Sequence, residues 1–379
     1  MADKIKVGVV GPGTIGHKVI WALQKQGDVE VVGAAKTSPD WVARWCIDAG
    51  LKMYASSKDG PAGLDASVKE FQDALGAQNV GGSIRDMLSH VDVVVDCSDG
   101  KIGAMLKEQY YAPYNKEAKK KVRVIFQGGE KANIGKSFNS RCNYDKVLSV
   151  GASDTPYLRT VSCNTTTLAR FAGMLIEGGY PIEFLEIALM RRAVDPGQVG
   201  KAILDSMEVD LKIPSHQAPD LMEVLPIQAS SRAYKITSSQ MHLHDVRITF
   251  KSKAPSKEEF AAVFAKDNRV ALLNRFSATG ELKERSRRLN KLHPEVALGG
   301  DLFVVAAGLG TYQVVNEKRS WITLGCPQDS IVVVENVDAV KAITYDTNKL
   351  SRDAVMQSTD KALSLREIKK ALEESYKAE

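Results

Sequence analysis

Short apolar runs and helix-spaced apolar stripes alternate along the first part of this 379-residue chain, and the alternation stops near Cys163. Lys6 to Val10 reads as a buried strand, Gly11 to Gly16 as a turn, His17 to Gln26 as a helix and Val29 to Ala35 as a second strand. Together they make a βαβ unit. Ser38-Pro39-Asp40 can start another helix, with Ser38 as N-cap and Pro39 at its first position. Asp92 to Cys97 is a third strand, apolar enough to be covered on both faces. Val122 to Phe126 makes a fourth, and Val147 to Gly151 a further one. Strands alternating with helices predict a parallel, doubly wound sheet up to about residue 160.

Beyond Cys163 the texture changes. A helix-like run from Leu168 to Ile176 gives way to β-branched or alternating stretches at Glu183–Met190, Val246–Lys253, Val270–Asn274 and Leu302–Ala306. Phe303–Val315 and Trp321–Leu324, separated by turn residues, read as hairpin or sheet-edge segments. This half predicts a mostly antiparallel sheet with a few helices. In the tail, Ser364 and Glu367 have capping-box spacing before an apolar helical run.

The turn after the first strand carries chemistry. In Gly11-Pro12-Gly13-Thr14-Ile15-Gly16, glycines allow the tight turn, the approach of a pyrophosphate and close packing of helix on strand. That is a dinucleotide-binding signature, and the first domain reads as a Rossmann fold. The end of the second strand, where an NAD-specific fold usually has an acid, is Ala35-Lys36-Thr37-Ser38. A cation and two hydroxyls would suit a 2′-phosphate, so NADP is favoured over NAD.

Composition narrows the class. The chain is 44% hydrophobic and 26% charged, with no apolar signal segment at its start and no apolar run long enough to cross a bilayer. The five cysteines are widely and irregularly spaced, which points to a reducing cytoplasm rather than a disulfide framework. The net charge of +5 is compatible with a phosphorylated ligand. The basic run Lys119-Lys120-Lys121 reads as a solvated helix end, and without interleaved aromatics it gives no reason to expect nucleic acid.

One cysteine stands apart. Cys163 lies in Ser162-Cys163-Asn164-Thr165-Thr166, between the β-like run Leu158–Val161 and the helix-like run that follows. A helix N-terminus favours an anion, lowers a thiol's pKa and makes it nucleophilic. Cys46, Cys97, Cys142 and Cys326 read as small core residues. A thiolate beside a nicotinamide points to covalent aldehyde oxidation, which also requires a base for the hemithioacetal proton. Of the six histidines, His17 and His90 read as surface residues and His293 as a turn residue. His216 sits among prolines, and His242 and His244 share one strand face. No third ligand has zinc-like spacing, so no metal is expected.

In order and spacing, these segments closely resemble the archaeal-type (class II) phosphorylating glyceraldehyde-3-phosphate dehydrogenases, nearly end to end. The resemblance rests on Gly11–Gly16, Ala35–Pro39, Phe126–Lys131, Ser162–Thr166, Arg191–Ala193 with Asp195, Pro214–His216, Met241–His244 and Gln328–Val333. It implies Cys163 as nucleophile and His242 as general base. Ser162, Asn164 and Thr165 would line the substrate, and Arg192, His216 and Gln217 would meet the phosphate groups of substrate or orthophosphate. Gly11, Gly13, Thr14, Ile15, Gly16, Lys36, Thr37, Ser38, Gly128, Gly129 and Gln328 would hold the dinucleotide. The domains expected are 1–161 for the dinucleotide, 162–325 for catalysis, and 326–379 returning to the first. A cytoplasmic homotetramer is the family expectation.

The chain departs from the pattern in three ways. Gln217 stands where the family often has a second histidine, the Val199–Ile203 segment lacks the family's proline, and apparent insertions fall at Tyr54–Val80, Gln109–Arg123 and Gly308–Arg319. The function expected is reversible phosphorylating oxidation of glyceraldehyde 3-phosphate in glycolysis or gluconeogenesis. A related semialdehyde or phospho-aldehyde dehydrogenase is the alternative within enzymes, and a non-catalytic dinucleotide-binding regulator the alternative outside them.

Overall fold

The computed structural model describes residues 3–127, 129–194, 203, 205–292 and 301–377. The chain forms two compact units, each gathered from separate stretches. Residues 1–138, 144–160 and 333–359 make the first; residues 139–143, 161–332 and 360–379 make the second.

Among the described residues the first unit is built on eight strands: β1 (Ile5–Val10), β2 (Val29–Lys36), β3 (Lys52–Ala55), β4 (Val80–Ser83), β5 (Val93–Asp96), β6 (Arg123–Gln127), β7 (Lys136–Phe138) and β8 (Tyr157–Thr160). Their order is β4-β3-β2-β1-β5-β6-β8-β7, and every pair is parallel. This is the doubly wound sheet expected from the alternation. The order reverses between β1 and β5, and in such sheets the crevice at the carboxyl ends of those strands is where ligands bind.

Two local expectations need correction, and two strands were not expected at all. Val147–Gly151 is a chain of tight turns, with Val147 N–H bonded to Tyr144 O and Val150 N–H to Val147 O. A Cβ at Gly151 would lie 1.7 Å from the Ile343 carbonyl oxygen, so backbone contact rather than strand pairing shapes that stretch. The second helix begins at Trp41, not Pro39, and its cap is Asp40 rather than Ser38. Asp40 accepts from Val42 and Ala43, two backbone donors at once, which a carboxylate does well. The edge strand β4 and its neighbour β3 were unforeseen: each has four residues, and Val80-Gly81-Gly82-Ser83 carries no apolar alternation.

The helix Val333–Ile343 is buried at every position and packs inside this unit, although it lies far along the chain. Its Lys341 is held by Gln26 (3.2 Å), Ser358 (3.2 Å) and Asp28 (3.3 Å), which satisfies a buried cation.

The second unit holds a mixed sheet, β10-β11-β9-β12-β16-β14-β13, with β15 (Gln313–Asn316) paired to β16. The strands are β9 (Ile182–Arg192), β10 (Glu208–Val209), β11 (Gln228–Ile236), β12 (His242–Phe250), β13 (Val270–Leu273), β14 (Val305–Gly308) and β16 (Arg319–Cys326). Among the described residues, only β11/β9 and β13/β14 run parallel. The central trio β9, β12 and β16 is antiparallel, so the end of β9, the start of β12 and the end of β16 meet at one sheet edge.

The tail splits, Val333–Thr359 belonging to the first unit and Asp360–Glu379 to the second. The helix Leu365–Ser375 forms, but Ser364 takes φ +51 and caps nothing, so the expected capping box is absent. A capping serine needs extended backbone to turn its hydroxyl onto the helix N–H groups. Instead, Lys369 anchors the helix to the carbonyls of Phe264 (2.7 Å) and Asp267 (2.5 Å). Among the described residues no helix is long and apolar enough to cross a membrane.

Candidate active site

In the first unit, the turn between β1 and the helix Gly16–Gln24 is shaped by backbone contacts. Gly11 has φ +71, and a Cβ there would lie 2.9 Å from Ser98 N; a Cβ on Gly16 would lie 2.3 Å from Gly11 O. Both positions therefore require glycine. Gly13 differs, because a Cβ on it would meet nothing within 4 Å. Protein packing gives no reason for glycine at Gly13, whereas a pyrophosphate approaching the turn would. His17 braces the turn, its Nδ1 2.7 Å from Gly13 O and its ring edge-on to Trp45. Thr14 is exposed and Ile15 half-buried beside the first N–H groups of the helix. Gly129 packs close to Gly100, where a Cβ would lie 3.0 Å from Gly129 O.

At the end of β2, Lys36 is ion-paired with Asp40, while Thr37 and Ser38 are half-buried. Burial works to raise the Asp40 carboxyl, but the hydrogen bond and charge of Lys36, with the N–H groups of Ala43 and Val42, overcome it and lower it. An acid is thus present beside the cation, two residues past the Ala35–Ser38 stretch in which sequence reading found none.

In the second unit, Cys163 is the first residue of the helix Cys163–Glu177, and Ser162 is the N-cap. Ser162 Oγ accepts from Thr165 N (3.3 Å) and lies 3.0 Å from the Thr165 hydroxyl. The next turns are tied down by Thr166, which donates to Val161 O, and Thr167, which donates to Cys163 O. Arg170, fully buried, clamps the helix by donating to Phe303 O (2.8 Å) and Ile331 O (3.1 Å).

The meeting edge of β9, β12 and β16 supplies the surroundings. His242, buried at the start of β12, accepts at Nδ1 from the Arg192 N–H at the end of β9 (3.0 Å). That bond assigns the proton of the neutral ring to Nε2. Cys326 stands opposite His242 in the strand register, and its thiol donates to Cys163 O at 3.5 Å. Cys163 is held well below the ordinary thiol value. The hydrogen bond from Cys326 contributes most; burial opposes it, and the hydrogen bond from His242 and the charge of Arg192 reinforce it. Cys326 is pushed far up, by burial first and then by Cys163. Two thiols side by side have been driven apart in acidity. Sequence reading missed Cys326, because only the β12/β16 register reveals its neighbour.

His244 is fully buried, and burial lowers it to about 3, so it stays neutral. Its Nε2 donates to Asn164 Oδ1 (2.8 Å), leaving the NH₂ end of that amide as the donor. His216 is exposed at the N-cap of the helix Gln217–Val224. Its ring is lowered by partial desolvation, with Asp220 opposing, Arg191 adding, and Asp210 and Cys163 opposing. Gln217 is fully buried, and neither its Oε1 nor its Nε2 has a partner among the described residues.

Gln328 lies in the second unit, buried, with its Oε1 unpartnered among the described residues. Gly128, Asp195, residues 199–202 and His293 lie outside the described residues. Among the described residues, no group of three His, Cys, Asp or Glu is placed to hold a metal.

No family model matches the chain. Individual relatives do. It is 33% identical over 366 residues to the glyceraldehyde-3-phosphate dehydrogenase of Pyrococcus abyssi, covering 96% of this chain and 99% of that protein. The Thermococcus kodakarensis enzyme of the same name gives the same identity and coverage. That of Sulfolobus acidocaldarius is 34% identical over 369 residues, covering 96% and 98%. The chain belongs to the glyceraldehyde-3-phosphate dehydrogenase family.

Proposed function

We propose that this member of the family catalyses the reversible phosphorylating oxidation of D-glyceraldehyde 3-phosphate to 1,3-bisphosphoglycerate, using NADP in preference to NAD. The observation that carries the proposal is the Cys163 thiol at a helix N-terminus, hydrogen-bonded by His242 and facing the charge of Arg192.

The Cys163 thiolate attacks the aldehyde carbon and forms a hemithioacetal oxyanion. His242 Nε2–H donates to the sulfur at rest and to that oxygen after attack. Asn164, its amide oriented by His244, offers a second donor. As a general base, His242 could take a hydroxyl proton at Nε2 only if its own proton first moved to Nδ1, which would displace the Arg192 N–H. Starting from the thiolate, no such transfer is needed. A dinucleotide bound at the glycine turn would supply the hydride acceptor for the hemithioacetal carbon. Orthophosphate then attacks the thioester carbon, the C–S bond breaks, the proton of the attacking phosphate passes to solvent, and Cys163 leaves as thiolate.

Arg192, His216 and Gln217 are assigned to the phosphate groups. A buried amide without partners costs roughly 1–3 kcal/mol, and phosphate oxygens accepting from Gln217 Nε2 would relieve part of that. Ser162 and Thr165 hold the helix start, and through it the sulfur. Gly11, Gly13, Thr14, Ile15, Gly16, Lys36, Thr37, Ser38, Gly129 and Gln328 remain the residues proposed for the dinucleotide. For NADP preference, Lys36 must exchange Asp40 for the 2′-phosphate. A cytoplasmic homotetramer serving glycolysis or gluconeogenesis completes the proposal.

The test is cofactor reduction by purified, reduced protein with glyceraldehyde 3-phosphate, NADP or NAD, with and without orthophosphate. Turnover that requires orthophosphate and disappears on thiol alkylation is expected. Turnover only with a semialdehyde would move the assignment to that substrate, and dinucleotide binding without turnover of any aldehyde would favour a regulator.

A further inference from the structure

Beyond the hydrogen bond that helps hold Cys163 as thiolate, Cys326 takes no step in the chemistry above, yet it is fully buried and directly beside the nucleophile. Its thiol donates to the Cys163 carbonyl at 3.5 Å, and it stands opposite His242 in the β12/β16 register. Cys163 is half-buried, so a small oxidant can reach it, whereas Cys326 is closed to solvent. Both thiols are free. The nearest other cysteine of this unit, Cys142, is occupied elsewhere, donating to Ala169 O at 3.3 Å.

We propose that Cys326 is the resolving thiol of Cys163: when a peroxide oxidises the nucleophile, Cys326 captures it as an intramolecular disulfide. In the first step the Cys163 thiolate attacks one oxygen of hydrogen peroxide, the O–O bond breaks, and Cys163 sulfenic acid and hydroxide result. Sulfur loses two electrons and peroxide gains them. In the second step Cys326 sulfur attacks the sulfenic sulfur and the S–O bond breaks. The departing hydroxyl leaves as water with the Cys326 proton, and a Cys163–Cys326 bond remains. The disulfide blocks turnover and protects Cys163 from irreversible sulfinic acid. A dithiol reductant restores both thiols.

The division of labour between the thiols suits this sequence of events. The lowered Cys163 provides the thiolate that peroxide needs, and the raised Cys326 stays protonated and unreactive until a sulfenic acid forms beside it.

The inference rests on Cys163 being the reactive thiol of the proposed function, and the experiment separates the two. Reduced protein is alkylated with iodoacetamide and mapped by mass spectrometry; modification of Cys163 with loss of turnover supports the reading of the reaction. A second sample is treated with hydrogen peroxide, quenched, digested without reduction and mapped. The expected result is a peptide pair joining Cys163 to Cys326, with activity recovered by dithiothreitol. In Cys326→Ser and Cys326→Ala, each measured against its own untreated activity, Cys163 should instead gain two oxygens and activity should not return. Wild-type protein that reaches sulfinic acid as fast as the variants, or that links Cys163 to another cysteine, overturns the proposal while leaving the alkylation result standing. Absence of Cys163 alkylation would overturn both.

Discussion

The glycine turn of the first unit and the thiol site of the second are built on opposite plans. The turn is local: Gly11, Gly13, Gly16 and His17 lie within seven residues, and their geometry comes from backbone contacts with one another and with Ser98. The thiol site is assembled: Cys163, Arg192, His242 and Cys326 come from one helix and three strands, joined by the antiparallel register of β9, β12 and β16. In the turn the backbone constrains which side chains fit. In the thiol site side chains set one another's protonation through hydrogen bonds that the sheet makes possible.

The comparison breaks most sharply if the sites can be lost one at a time. Cys163→Ser should lower turnover on the order of 10⁴-fold or more, while NADP and NAD binding, followed by calorimetry, stays near wild type. Retained turnover would remove Cys163 from the mechanism. The same thiol should titrate early. Because its acidity is raised in the folded protein, thiolate is present above that lowered pKa and is lost as pH falls through it. The rate of iodoacetamide alkylation should therefore have its midpoint below about 8.5; a midpoint at or above that value would contradict the hydrogen-bonded thiolate.

Gly16→Ala tests the other plan. A Cβ 2.3 Å from Gly11 O forces the turn to shift, so stability should fall by roughly 1–3 kcal/mol. Dinucleotide affinity should fall about tenfold or more, equivalent to ~1.4 kcal/mol. Cys163 alkylation should be unchanged, and if it slows in step with dinucleotide binding the two sites are not independent. His244→Leu removes the donor that orients Asn164 and should cost kcat about 10- to 100-fold. His244→Gln, which keeps a donor, should lose less; equal losses would mean that packing alone is at stake.

The smallest effects concern the Lys36–Asp40 pair. Asp40 is partly exposed, so freeing Lys36 with Asp40→Asn should raise NADP affinity only about two- to fivefold. Lys36→Glu should weaken NADP about tenfold more than NAD, by a charge effect on the 2′-phosphate. Unchanged cofactor ratios in both variants would mean that this pair does not read the ribose.

Most of the first unit's sheet was legible because each βα turn declares itself locally. The βαβ unit through Ala35 and the strands at Asp92–Cys97 and Val122–Phe126 lie where their apolar runs predict. The edge strand β4 and its neighbour β3 were not legible, because each has only four residues and two of those in β4 are glycines, too little to carry a period. Capping was read less well: Asp40 rather than Ser38, and Ser364 in a left-handed conformation, follow from how neighbouring segments enter the helices. For the site, a strand-to-helix junction at Cys163 was readable from one short stretch. The His242 tautomer, the His244–Asn164 bond and the Cys326 neighbour were not, since each depends on partners at least 50 residues apart.

By itself the sequence specifies what short-range sterics and periodicity can specify: the class of each half, the glycines that a tight turn demands, and a thiol at the start of a helix. The tertiary fold alone brought the ends of β9, β12 and β16 together, and with them the contacts that separate two cysteines into a thiolate and a protected thiol. The physical reason is range. Backbone preference acts over a few residues, whereas acidity and tautomer respond to whatever lies within a few ångströms in space, however far away it is along the chain.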